Sequence, residues 1–186
     1  VLAKCEKKQH GLRRKTDHER ENLMRRTFIA ALILLFLAAT AYAVGEPAVD
    51  FTLKDLSGKS LRLADQKGQV VLLTFWMTWC SACKIEMPHH QRLYDQYKDK
   101  GFAVWSITAD TPSDLPQVRS IVRRHKLTYP VLHDSDSRVN GLYNPRSDYP
   151  YSVLIDREGK VVWTHVGFKS GEEVELEEQI KKALGL

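Results

Sequence analysis

At 186 residues, with 43% hydrophobic and 27% charged residues, the chain has room for one ordinary globular domain and little more. The formal net charge of +5 comes from the first 43 residues, which carry nine Lys or Arg against four Asp or Glu, whereas residues 44–186 carry nineteen of each. A neutral body without aromatics interleaved among Lys and Arg argues against a nucleic-acid partner.

Residues Val1–Leu23 are polar, mixed in charge and without apolar periodicity. Met24-Arg25-Arg26, the apolar run from Phe28 to Ala39 and the small-residue site Ala41-Tyr42-Ala43 match a secretory signal cleaved after Ala43. Val1 in place of Met makes 1–23 read as a misassigned start, so 1–43 is expected to be a leader and 46–186 the folded domain. Left uncleaved, Phe28–Val44 would act as a membrane tether, although it is short for a spanning helix of roughly 20 apolar residues. Either outcome predicts a periplasmic or otherwise extracytoplasmic domain.

The body alternates strands and helices. Phe51–Leu53 and Ser60–Leu63, with Ser57-Gly58-Lys59 between them, predict an N-terminal hairpin. Val70–Phe75 reads as a central strand buried on both faces. A helix is expected from about Ala82 to Lys98, with Met87, Leu93, Tyr94 and Tyr97 near one side and a kink at Pro88. Phe102–Thr108 predicts a second strand, Leu115–His125 a helix, Pro130–Leu132 a short strand and Arg138–Tyr143 a helical turn. After Pro150, Val153–Asp156 and Val161–Thr164 read as a hairpin closed by Arg157–Lys160, and Gly171–Leu184 as a last helix. Strand-helix-strand order predicts parallel neighbours joined by right-handed crossovers.

Chemistry concentrates in Trp79-Cys80-Ser81-Ala82-Cys83, at the junction of the central strand and the first long helix. Of three cysteines, Cys5 lies in the expected leader, leaving one C-x-x-C pair whose loop is too short to staple a fold. A thiol at a helix N-terminus meets unpaired N–H groups and the positive end of the dipole, which favour its thiolate. Cys80 is therefore the expected nucleophile and Cys83, one turn inward, the resolving thiol. A zinc site would need two more ligands, and His89 and His90 stand almost two turns from Cys83, so no metal and no cofactor are expected. Glu86, one turn beyond Cys83, either passes protons during exchange or is a solvated surface residue. Pro150 either starts an edge strand or is a cis-proline whose loop offers backbone groups to an extended polypeptide. Trp76 and Trp79 read as core and rim aromatics, and His89, His90, His125, His133 and His165 as surface or capping residues.

Phe75-Trp76-Met77-Thr78-Trp79-Cys80-Ser81-Ala82-Cys83-Lys84, then Glu86-Met87-Pro88, then Pro150 before Val153-Leu154-Ile155-Asp156 and Gly159, resembles the TlpA/ResA group of exported thioredoxin-fold proteins. The resemblance spans nearly all of 46–186 and places the chain near the redoxin and AhpC/TSA proteins. It implies an α/β thioredoxin fold, with a central mixed β-sheet flanked by helices and an added N-terminal β-hairpin. It also implies catalytic roles for Cys80, Cys83 and Glu86, the last tuning thiol acidity, and a substrate-facing surface of Trp79, Tyr149 and cis-Pro150. Ser81-Ala82 departs from the Glu-Pro or Gly-Pro common between such cysteines, and Thr74 stands where cytosolic thioredoxins carry a buried Asp.

The resulting expectation is a thiol-disulfide oxidoreductase that reduces disulfides of exported proteins, cytochrome c maturation among its settings, with a membrane thiol donor keeping it reduced. A peroxiredoxin-like thiol peroxidase wants Thr or Ser three positions before its reactive Cys, where Met77 stands here. A metal-delivery or redox-sensing module is the remaining alternative, and predicts stoichiometric copper or zinc on Cys80 and Cys83.

Overall fold

The computed structural model describes residues 45–186. The expected leader, with Cys5 and the whole run Phe28–Val44, lies outside the described residues. Among the described residues, one sheet contains β1 (Thr52–Asp55), β2 (Ser60–Arg62), β3 (Val70–Trp76), β4 (Phe102–Thr108), β5 (Val131–His133), β6 (Tyr151–Ile155) and β7 (Val161–Val166). Its spatial order is β2-β1-β5-β4-β3-β6-β7. β3, β4 and β5 run parallel, while β6 joins β3 antiparallel and β7 continues the hairpin. The N-terminal pair β1 and β2 attaches antiparallel to β5. The helices are α1 (Ser81–Tyr97), α2 (Leu115–Arg124), α3 (Arg138–Tyr143) and α4 (Glu172–Leu184). None of these helices is long and apolar enough to cross a membrane. This is the mixed sheet with helices on both faces and an added hairpin that the sequence resemblance implies.

β3 is the axis of the structure because all seven of its residues are buried. Val70, Leu72 and Trp76 point into a core shared with α1, α2 and α4, and Val71, Leu73 and Phe75 into a second core beneath α3 and the N-terminal segment. That alternation is the period of two expected of a strand covered on both sides. The connection into β4 turns at Gly101, whose φ of 88° suits a residue without Cβ, and its carbonyl accepts from the Val70 N–H at 2.8 Å.

α1 follows directly from β3 and buries Cys83, Glu86, Met87, His90, Leu93 and Tyr97. This stripe has the spacing of one helical face. The helix passes Pro88 as one element; the proline removes the bond to the Lys84 carbonyl without ending the helix. Its C-terminal half docks on α4 through a charged knot. The Tyr97 hydroxyl donates to Glu177 at 2.7 Å, Arg92 Nη2 at 2.9 Å, and Lys181 Nζ lies 3.2 Å away.

The Tyr97 hydroxyl first, then Arg92 and Lys181, hold the Glu177 carboxyl down at about 2, against an ordinary 4.5. Protonation therefore favours the unfolded chain, so this contribution is full at neutral pH and is lost as pH falls from about 5 towards about 2. Glu177→Gln should cost about 2 kcal/mol at pH 7 in urea denaturation, and the gap from wild type should narrow steadily as pH is lowered through that window. A gap that stays constant with pH would show that the knot does not act through the carboxylate.

Candidate active site

The C-terminal end of β3 must turn out of the sheet, and the turn delivers Cys80 to the start of α1. Cys80 is the N-cap residue, in extended conformation with φ −76° and ψ 106°, and its Sγ accepts from the Cys83 N–H at 3.1 Å. It thus stands where a serine or aspartate oxygen normally satisfies a free helix N–H. Cys80 and Cys83 form a disulfide with their Cα atoms 5.4 Å apart. Their exposures are 5% and 2%, so the greater shielding expected of Cys83 is slight in the disulfide form.

Three tethers fix the turn. The Cys80 N–H donates to the Met77 carbonyl at 3.0 Å, and Lys84 Nζ reaches back to the Thr78 carbonyl at 3.1 Å. The third tether is Asp110, buried two residues beyond β4, whose carboxyl accepts from the Thr78 N–H at 2.9 Å, the Thr78 hydroxyl at 2.8 Å and the Thr108 hydroxyl. His133 Nε2 meets the Asp110 carbonyl at 2.8 Å. The C-terminal ends of β3, β4 and β5 therefore converge on the loop that carries the cysteines, as ligand sites in parallel sheets do.

The register places a second strand against the same edge. Tyr151, first residue of β6, pairs with Phe75 of β3, so the preceding Tyr149-Pro150 lies beyond the end of β3, beside the cysteine turn. The Tyr149–Pro150 peptide is cis, and the Pro150 carbonyl accepts from the Gly167 N–H at 2.8 Å. Trp79 is 66% exposed and meets the Tyr149 ring edge-on at 5.7 Å between centroids. The Tyr149 hydroxyl donates to Asn140 Oδ1 at 3.0 Å, and burial raises that phenol above its ordinary value. Asn144 pins the segment before it by donating to the Asp148 carbonyl at 2.7 Å. Trp79 is thus a rim aromatic as expected, and Trp76 a core one.

Behind the disulfide, Glu86 is 5% exposed and sits on the buried face of α1 with Cys83, which removes the reading of a solvated surface residue. His90, read from the sequence as a surface or capping residue, is 2% exposed. Its Nε2 faces Glu86 Oε1 at 3.3 Å across one helical turn. The spacing from Cys83 and Met87 through His90 to Leu93 held the signal, because a residue on that stripe is buried whatever its polarity. Of the other histidines, His125 follows the end of α2 and donates its N–H to the Ile121 carbonyl, in keeping with a capping role. Asp110 also went unrecognised; its only sequence signal is its place just after the strand beside β3. Among the described residues, no group of three or more His, Cys, Asp or Glu is arranged to hold a metal ion.

Asp110→Ala would leave the Thr78 N–H and two buried hydroxyls without their acceptor. We expect a loss of about 2 kcal/mol in urea denaturation of the oxidised protein and a slower reaction of the reduced pair with disulfides. Unchanged stability would show that the turn is held without this carboxyl.

Residues 44–164 match the model of the AhpC/TSA family. The thiol-disulfide oxidoreductase ResA of Bacillus cereus is 38% identical over 132 residues, covering 71% of this chain and 75% of that protein. ResA of Halalkalibacterium halodurans is 34% identical over 167 residues, covering 84% and 93%. Among solved structures, one assigned as the thiol:disulfide interchange protein DsbE of Chlorobium tepidum superposes with a TM-score of 0.71 at 34% identity, covering 77% of this chain and 99% of that one. With the cysteine pair at a strand-helix junction and the mixed sheet behind it, these matches place the chain in the AhpC/TSA family, among thioredoxin-fold thiol-disulfide oxidoreductases of the ResA type.

Proposed function

We propose that the chain works outside the cytoplasm as a reductant of disulfides in exported proteins, with Cys80 as attacking and Cys83 as resolving sulfur. The observation that carries this is the cap geometry: Cys80 Sγ accepts the Cys83 N–H at the N-terminus of α1, where a thiolate is stabilised by hydrogen bonding and by the helix dipole. The Cys80 thiolate attacks a substrate disulfide and releases the first substrate thiol. Cys83 then gives up its proton and attacks Cys80, releasing the second thiol and leaving the Cys80–Cys83 disulfide. Two electrons pass from the cysteine pair to the substrate.

Glu86, one turn from Cys83 on the same buried face, is the acceptor for the Cys83 proton in this scheme. Trp79, Tyr149 and Pro150 form the substrate-facing surface. Exposed Trp79 offers an apolar contact, and the antiparallel start of β6 presents backbone groups to an extended segment. The extracytoplasmic setting rests on the signal-like run from Met24 to Ala43 and on the likeness to ResA. That likeness also suggests cytochrome c maturation as one setting and a membrane thiol donor as the source of electrons. The folded part is taken as 46–186, with 1–43 as leader.

The test is insulin-disulfide reduction by wild type and Cys80→Ser, together with the reduction potential of the pair. Turnover that Cys80→Ser abolishes, with a potential below about −200 mV, is the expected result. Turnover no greater than that of the variant would sink the assignment, and a potential far above that value would make the protein an oxidant.

A further inference from the structure

The buried stripe of α1 carries two ionisable side chains in successive turns, Glu86 and His90, among apolar neighbours. A carboxylate alone in such a stripe is costly, because its desolvation is not repaid. His90 Nε2, 3.3 Å from Glu86 Oε1, has no aligned hydrogen bond among the described residues, so that nitrogen is committed to no other partner there. We propose that His90 is a positioning residue for Glu86: the pair, a carboxylate facing a neutral imidazole, takes up one proton between them, so that Glu86 accepts the proton of Cys83 and His90 carries it towards solvent. This rests on the role for Glu86 proposed above and adds the group that empties it.

The route outward is visible. Glu86 and His90 border a small cleft closed by Trp163 and His165 of β7, by Phe168, and by Leu176 of α4. Other titratable groups facing it come from each packed element. His165 Nε2 lies 3.1 Å from Glu172 and His89 Nδ1 4.0 Å from Glu173, so each of the three imidazoles lining the cleft meets a carboxylate. The Lys169 backbone N–H holds the Glu172 carboxyl, and those of Glu173 itself and Gly171 hold the Glu173 carboxyl, below their ordinary range. From the strand side comes Tyr129, just ahead of β5, whose buried hydroxyl lacks a hydrogen-bond partner. Burial, and secondarily the charge of Glu86, push that phenol far above its ordinary range, so it stays protonated and takes no proton from the pair.

The proton balance of the resolving step is then complete. The Cys83 S–H bond breaks as its proton goes to the Glu86 carboxylate. The Cys83–Cys80 S–S bond forms as the Cys80–substrate S–S bond breaks, and the substrate leaves as a thiolate. Glu86 passes the proton to His90 Nε2, and the imidazolium releases it through the cleft.

Reaction of the reduced full chain with the chromogenic disulfide dithiobis-nitrobenzoate separates the steps, since one chromophore leaves on attack by Cys80 and a second when Cys83 resolves. His90→Gln should slow the second phase by about tenfold near neutral pH and flatten its pH profile, while the first phase stays within about twofold. Glu86→Gln should do the same, and the double variant should be no slower than either single one, as expected of residues acting as one unit. A second measurement leaves position 90 intact: in the oxidised protein, Glu86→Gln should displace the titration curve of the His90 imidazole resonances relative to wild type. If Glu86→Gln alters the second phase and His90→Gln does not, or if His90→Gln slows it with an unaltered pH profile, the role for His90 is overturned and that of Glu86 survives. If Glu86→Gln leaves the second phase unchanged, both roles fall. An undisplaced His90 titration overturns proton sharing even where His90→Gln folds poorly.

Discussion

Everything at this site depends on one local contact, the acceptance of a helix N-terminal N–H by a sulfur atom at the cap of α1. A helix leaves its first N–H groups without intrahelical partners, and a side-chain oxygen usually satisfies them. Here the cap is Cys80, so the group that completes the helix is also one half of the disulfide and, in the proposed mechanism, the attacking sulfur. This couples fold to chemistry. The cap needs the turn from β3 to be rigid, and the turn is rigid because β3 is buried on both faces and because Lys84 and Asp110, the latter itself held by the Thr108 hydroxyl, hold Thr78.

The same economy governs the polar groups of the interior. Buried polar side chains are tolerated when their partners are built in. Asp110 meets that condition through Thr78 and Thr108, and Asp134 by accepting the N–H groups of Val139 and Asn140 at the start of α3. Glu86 and His90 meet it only with one another, and at a geometry short of a full hydrogen bond. The Trp76 indole N–H and the hydroxyls of Ser106, Tyr129 and Ser152 also lack a partner among the described residues, and of these incompletely satisfied groups Glu86 and His90 are the carboxyl-imidazole pair one to two turns behind Cys83.

Much of this was legible in the sequence, and for physical reasons. The apolar run of β3, the C-x-x-C at its end and the strand-helix alternation are local patterns, and the observed elements match them to within one or two residues at most ends; β1 is shifted to Thr52–Asp55 and β7 runs on to Val166. Chain ends of elements fray in such readings because caps, not periodicity, set them. Long-range partnership was harder to see. Nothing local says that Asp110 will meet Thr78, 32 positions earlier in the chain, because that contact exists only once β3 and β4 are aligned in parallel. His90 was misread for a different reason: its polarity outweighed its position on a buried stripe. Glu86 stood out as a candidate through the family pattern, since a lone glutamate on a helix carries no signal of its own burial; what the structure adds is that it is buried.

In the proposed mechanism the arrangement also separates two tasks that a disulfide reductant must perform. Exposed Trp79, half-buried Tyr149 and buried Pro150 lie at the edge where β6 begins, whereas Glu86 and His90 lie on the buried face of α1. Substrate contact and proton handling thus meet only at the sulfurs. They also act on the potential in opposite directions. The helix N-terminus stabilises the reduced thiolate and so makes the pair more oxidising, while a carboxylate one turn behind Cys83 repels that thiolate and makes it more reducing. A proton held between Glu86 and His90 weakens the repulsion, so in the proposed mechanism the charge state of that pair moves the potential. Ser81-Ala82, which fills the first turn of α1 without the proline common in the family, acts on the first of these effects, and the Glu86–His90 pair on the second. The direction of electron flow follows from the balance of the two, and it can be shifted from the core side without altering the surface that meets the substrate.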